Sequence, residues 1–133
     1  MAHESRVVVE SDADCVVARQ KGREVAAQLG FSGSDLTRIA TAISEIARNI
    51  VEYAKGGEMK FAAAKRDTKV GIVVVARDEG PGIPNMPLAM QDGYSTGKGL
   101  GLGLPGAKRL MDEFEVESEV GKGTTVTMRK WIR

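Results

Sequence analysis

At 133 residues, with 42 % apolar and 28 % charged residues, the chain has the length and composition of one soluble domain that buries a real core. Nineteen basic and 18 acidic residues leave a net charge of +1, so bulk electrostatics select neither nucleic acid nor an anionic membrane as partner. A single cysteine, Cys15, and a single histidine, His3, exclude an internal disulfide, a Cys/His metal site and a histidine-based triad.

Taken in chain order, Val7, Val8 and Val9 predict a first strand over Arg6–Ser11. Asp12 or Asp14 is positioned to cap a helix over Cys15–Leu29, with Val16, Val17, Val25, Ala26 and Leu29 as its apolar positions and Gly30 as its stop. Cys15 reads as a small buried hydrophobe. His3 lies near the terminus, where disorder is expected rather than function. A second helix, capped by Ser34 or Asp35, runs from Leu36 to about Ala54, since Ile39, Ile43, Ile46, Ile50 and Ala54 recur at spacings of three and four. Lys55-Gly56-Gly57 ends it.

Two strands are predicted next, Glu58–Arg66 and Lys69–Asp78, joined by a turn at Asp67-Thr68. The second is almost unbroken in Val and Ile, the signature of a central strand buried on both faces. Asp78 is its last residue, at the carboxyl end where ligand groups are commonly placed. A short helix over Leu104–Asp112 takes Pro105 in its first turn, where no N–H is required. Phe114–Ser118 and Thr124–Trp131 complete the chain as a hairpin through Val120-Gly121-Lys122-Gly123. The order predicts an α/β fold: a two-layer α+β sandwich with one mixed sheet covered on one face by helices. No apolar run approaches the ~20 residues of a membrane span and no signal peptide is visible, so a cytoplasmic protein is expected.

Two constellations carry the chemistry. Gly80 and Gly82 follow Asp78 directly, and Gly97, Gly99, Gly101 and Gly103 recur every second residue before the Leu104 helix. A glycine-rich loop opening onto a helix leaves backbone N–H groups free to hold an anion. These features predict a nucleotide pocket with Asp78 at one end and phosphates at the other. With so few Cys and His, any metal there must use oxygen ligands, which favours Mg²⁺ in company with phosphates. On the long helix, Glu45 and Asn49 are four apart and share a face. With Ile39 at the origin, the isoleucine stripe centres near ~10°, Glu45 near ~240° and Asn49 near ~280°. Asn49 therefore sits on the shoulder of the buried face. Either it only bonds a neighbouring loop and Glu45 is a solvated charge, or both face a cleft. Arg48, near ~180°, reads as a surface residue.

The segments Ser44–Asn49, Asp78–Ile83, Gly97–Gly103 and Gly121–Thr125 resemble, in this order, the four motifs of the Bergerat-fold ATP-binding superfamily of gyrase B, large heat-shock chaperones, histidine kinases and MutL. Short length and the absence of a dimerising histidine helix make the chain similar to the small serine kinases of bacterial partner switching. Gly-Tyr-Ser-Thr before the loop and Leu104–Val116 after it look most like the stressosome switch kinases. The resemblance implies one kinase domain over residues 1–133, with a mostly antiparallel sheet, three helices on one face and a lid within residues 92–99. It implies that Asn49 binds Mg²⁺, that Asp78 accepts from the adenine amino group with Thr124 nearby through water, and that Gly80, Gly82 and Ile83 lie along the base. Gly97, Gly99, Gly101 and Gly103, with Leu100 and Leu102, would donate N–H groups to the phosphates of ATP. Glu45 would be general base toward a serine or threonine hydroxyl. Lys98 is the candidate cation for the transferring phosphate, with a solvated lid lysine as the equal alternative. STAS-domain antagonist or scaffold proteins are the implied substrates and a PPM-type phosphatase the implied target. An anti-sigma factor with kinase activity, holding a sigma factor, and a non-catalytic ATP-gated binding module are the competing expectations.

Overall fold

The computed structural model describes residues 4–54, 56–82 and 104–133. Strands β1 (Ser5–Val9), β2 (Gly57–Arg66), β3 (Lys69–Asp78), β4 (Glu113–Glu119) and β5 (Gly123–Trp131) form one sheet in the order β1-β2-β3-β5-β4. Every neighbouring pair is antiparallel. The expected mixed sheet is thus antiparallel throughout: β2–β3 and β4–β5 are hairpins, β1 joins β2 through α1 and α2, and β5 lies between β3 and β4. Helices α1 (Asp12–Leu29), α2 (Ser34–Asn49) and α3 (Leu104–Leu110) pack on one face, giving the expected two layers.

Between the layers, Val7, Val9, Met59, Phe61, Ile72, Val74, Val126 and Met128 from alternate strand positions meet Ile39, Ile43, Ile46 and Ile50 from the predicted stripe. β3 is central, yet it is buried on one face only. Ile72, Val74 and Ala76 are buried, whereas Val73 and Val75 on the other face are half-buried, since no helix covers that side among the described residues. A β-branched run thus reported strand propensity more than two-sided burial.

α1 starts earlier than expected. Ser11, not an aspartate, is its N-cap and accepts from the Asp14 N–H at 3.3 Å, while Asp14 Oδ2 accepts from the Glu10 N–H at 2.9 Å. Its buried stripe runs through Ala18, Gly22, Val25 and Ala26, leaving Val16 and Val17 about half exposed at 54 % and 49 %. These two were misplaced because a Val-Val pair fits a helix face in either phase. Gly22 is small because α1 crosses α2 there: a Cβ on it would strike Ile43 Cδ1. Gly30 ends α1 in the left-handed region.

α2 follows Gly33, which makes no side-chain cap; Ser34 instead accepts from Arg38. The α-geometry stops at Asn49 and gives way to a π turn over Ile50–Ala54, five residues the sequence pattern assigned to the same α-helix. α3 ends at Leu110, and its last carbonyl is capped by Lys130 Nζ at 3.0 Å. The Asp67-Thr68 turn is as expected, with Asp67 at φ 56°.

Candidate functional site

Asp78 closes β3 and is paired across the sheet with Gly57 on one side and Thr124 on the other. Its Oδ1 accepts the Gly80 N–H at 2.9 Å, an Asx-type turn that fixes the carboxylate at the mouth of the loop. Thr124 is opposite Ser118 in β4, and their hydroxyls lie 2.8 Å apart. Ser118 was not anticipated. Its signal was present: Phe114, Val116 and Ser118 share one phase of β4, and a hydroxyl replaces the apolar residue where that phase reaches Asp78.

The loop after Asp78 is held by packing. Gly80 sits on Ala54 of the π turn, where an added Cβ would lie 2.6 Å from the alanine Cβ. Gly82 has φ +80°, and a Cβ there would run into the Glu119 carbonyl. The Pro81 carbonyl accepts from the Gly121 N–H at 2.8 Å, so the loop is tied to the β4–β5 turn. These contacts give both glycines a structural reason of their own, additional to the expected approach to a base. An open hollow of about 470 Å³ lies beside Asp78, lined by Arg77, Glu79, Glu117, Ser118 and Thr124 among others.

Glu45 and Asn49 stand on the last two turns of α2, both half-buried; the wheel places Asn49 on that shoulder and leaves Glu45 open between a solvated charge and a cleft-facing carboxylate. Arg48 is exposed and donates to Glu45 Oε1 at 3.4 Å. Such a long, partly exposed pair is weakly held, so Glu45 is oriented by Arg48 without being sequestered. Ile50, next to Asn49, lies against Gly57: a Cβ on that glycine would be 3.1 Å from Ile50 Cγ2 and 3.1 Å from Asp78 Cβ. The end of α2 and the end of β3 thereby share one end of the molecule, with Gly57 between them. A separate groove of about 390 Å³ between α1 and α2 includes Cys15, whose thiol is pushed up by burial and then by Asp12. Cys15 is half-buried rather than fully enclosed.

The structure therefore brings Asp78, Gly80, Gly82 and Thr124 together, and places Asn49 and Glu45 at the same end on α2. Ile83, Gly97, Lys98, Gly99, Leu100, Gly101, Leu102, Gly103, the expected lid and His3 lie outside the described residues.

Compared with known proteins, residues 9–130 match the model of the histidine kinase-like ATPase domain. The chain belongs to that family. The match spans β2 to β4, nearly all of β5, all three helices and both site constellations, so the expected ATPase-kinase fold is shown. Within the curated proteins the chain is 49 % identical, over the whole of both sequences, to the serine/threonine-protein kinase RsbT of Bacillus subtilis. It is 39 % identical to an anti-sigma F factor of Caldanaerobacter subterraneus, over 80 % of this chain and 78 % of that one. It is 37 % identical to an anti-sigma F factor of Geobacillus kaustophilus, over 80 % and 76 %. No helix among the described residues is long and apolar enough to cross a membrane.

Proposed function

We propose that this chain is an ATP-dependent serine/threonine kinase of a bacterial partner-switching stress response, working in the cytoplasm on STAS-domain proteins. When released from them it would activate a PPM-type phosphatase. One observation carries the reading: 49 % identity end to end with a protein named as a serine/threonine kinase. The site chemistry supports it. Phosphoryl transfer asks chiefly for positioning and charge stabilisation, and α2 offers a carboxylate and an amide on a rigid helix beside a loop whose first residues, Gly80 to Gly82, are packed on Ala54 and the β4–β5 turn.

In this reading Asp78, with Oδ1 occupied by the Gly80 N–H, accepts the adenine amino group through its second oxygen. Thr124 and Ser118 extend that edge through a water. The glycines from Gly97 to Gly103 hold the phosphates, with Lys98 as the candidate cation. Glu45 takes the proton of the substrate hydroxyl as its oxygen bonds the γ-phosphorus and the bond to the β-phosphate oxygen breaks, so that ADP leaves. Mg²⁺ fits the donor set: Asn49 offers an amide oxygen. Mg²⁺ commonly keeps waters and takes phosphate oxygens alongside one or two protein ligands, so Asn49 would hold it together with the nucleotide. Its charge neutralises the phosphates when bound.

The second reading, an anti-sigma factor with kinase activity, is favoured by the 37–39 % identity to anti-sigma F factors. The test is incubation with labelled ATP, Mg²⁺ and a STAS-domain protein from the same operon. Label on a serine or threonine of the STAS protein is expected. ATP binding without transfer would mean a gated binding module, and capture of a sigma factor would move the chain to the second reading.

A further inference from the structure

At the Asp78 end of the sheet one cross-strand row reads Gly57, Asp78, Thr124 and Ser118. Paired residues of antiparallel strands share a face. This row lies in phase with Ala76, Val126 and Val116 of the core, so Asp78, Thr124 and Ser118 point to the helix side. One Asp78 oxygen accepts the Gly80 N–H at 2.9 Å. The Thr124 and Ser118 hydroxyls are 2.8 Å apart, and Ser118 Oγ donates to the Gly123 carbonyl at 3.2 Å. Gly123 stands at φ +120°, and a Cβ on it would strike the Asp78 carbonyl, so close backbone packing holds this acceptor where it is.

These contacts give the pair of hydroxyls a direction. A hydroxyl carries one proton and a carbonyl none. With the Ser118 proton on the Gly123 carbonyl, the 2.8 Å contact is closed by the Thr124 proton, and both bonds are made. The reverse order, Ser118 donating to Thr124, leaves the Gly123 contact without a proton and makes one bond fewer. The order that makes both is favoured. Thr124 thus spends its proton on Ser118 and meets a ligand as an acceptor.

We propose that Ser118 is a positioning residue for base selection: by taking the Thr124 proton it sets a second acceptor beside the Asp78 carboxylate, so that this end of the pocket takes a 6-aminopurine in preference to a 6-oxopurine. The inference rests on the proposed role of Asp78 as anchor of the base. An amino group brings protons to the two acceptors, whereas a carbonyl oxygen in its place meets no donor there. A water standing between Thr124 and the base would have to donate to Thr124, which leaves it one proton fewer to offer an oxygen at position 6. Without Ser118 the Thr124 hydroxyl is free to turn and donate, and the preference relaxes.

Titration calorimetry of the full chain with the magnesium salts of ATP and inosine triphosphate, its 6-oxo counterpart, tests this. The parent should prefer ATP. Ser118→Ala should narrow the ratio of the two affinities about fivefold, the worth of one neutral hydrogen bond, chiefly by raising the affinity for inosine triphosphate. Ser118→Thr keeps the hydroxyl and should keep the parental ratio. In a Thr124→Val background, Ser118→Ala should leave the ratio unmoved, because Ser118 acts through Thr124. A serine that only supports the fold would lower both affinities together, and a ratio unchanged by Ser118→Ala would overturn the proposal. So would a Ser118→Ala effect that persists in Thr124→Val. Circular dichroism checks that each variant is folded; if Ser118→Ala is not, Ser118→Cys, a weaker donor, is read in its place and should narrow the ratio. Asp78→Asn separates this inference from the reading beneath it. A ratio that falls with Asp78→Asn but not with Ser118→Ala sinks the role of Ser118 alone, whereas a parent without preference for ATP, or a ratio untouched by Asp78→Asn, sinks both.

Discussion

Gly80 rests on Ala54: the first glycine after β3 touches the last residue of the π turn, and an added methyl would lie 2.6 Å from the alanine Cβ. Through this contact the loop that follows Asp78 is seated on the helix that carries Asn49. Gly80→Ala should therefore destabilise the fold by about 1–3 kcal/mol through overpacking. Gly82→Ala, at φ +80° against the Glu119 carbonyl, should cost at least as much. Thermal unfolding followed by circular dichroism reads both, and midpoints equal to the parent would contradict the packing described.

Asp78 is the anchor of base recognition in the proposed function. Asp78→Asn retains an oxygen for the Gly80 N–H, so the loop should stay folded while the second position changes from acceptor to donor. ATP affinity should fall by roughly tenfold or more, a loss of about 1–3 kcal/mol for one mismatched buried polar contact. The ratio of ATP to GTP affinity should fall with it. Titration calorimetry with both nucleotides provides the comparison, and an unchanged ratio would remove Asp78 from that role.

Lys130 is buried at 7 % exposure, donates to the Leu110 carbonyl and lies 3.7 Å from Asp112 Oδ1. Asp112 also accepts the Trp131 N–H at 2.8 Å and pairs with Arg133. Removing the carboxylate leaves a buried ammonium with only a carbonyl, whereas removing the ammonium leaves a carboxylate that keeps two donors. Asp112→Ala should thus cost about 3 kcal/mol, and Lys130→Met distinctly less. Urea unfolding monitored by Trp131, the single tryptophan, measures both.

Acid should loosen the end of the sheet opposite Asp78. The Arg66 guanidinium, then the Trp131 indole N–H, hold Glu113 below its ordinary pKa of 4.5. Arg66 also stacks 5.0 Å from the Trp131 ring centroid. A carboxyl whose folded pKa is lowered contributes stability above its unfolded pKa and loses it as pH falls through the folded value. Stability should therefore decline below about pH 4.5, and Glu113→Gln should be less stable at neutral pH with a flatter acid limb. Unfolding midpoints across that range decide it; parallel curves would exclude Glu113 as a contributor.

Much of this was legible in the residues. The isoleucine stripe of α2 is periodic enough to place Asn49 on its shoulder before any coordinates, with Glu45 one turn earlier on the same side, and Asp78 ends its strand where the turn residues begin. The π turn was not legible, because Ile50 and Ala54 continue the apolar spacing of an α-helix and nothing local marks the change to wider hydrogen bonding. Val16 and Val17 were misread for a related reason: tertiary contact, here the close crossing at Gly22, decides which of two apolar phases is buried. Ser118 escaped because its meaning depends on register, which sets it opposite Thr124 only once β4 and β5 pair.

In the proposed function Glu45, on α2 and not in the glycine loops, is the catalytic base. Glu45→Gln removes the proton acceptor and leaves Asp78, Gly80 and Asn49 in place. The decisive measurement pairs ATP affinity with the rate of phosphate transfer to a STAS-domain protein for this variant and the parent. The account predicts unchanged affinity and a transfer rate lower by ~10²–10⁴, the usual contribution of a general base. Transfer at the parental rate would contradict it.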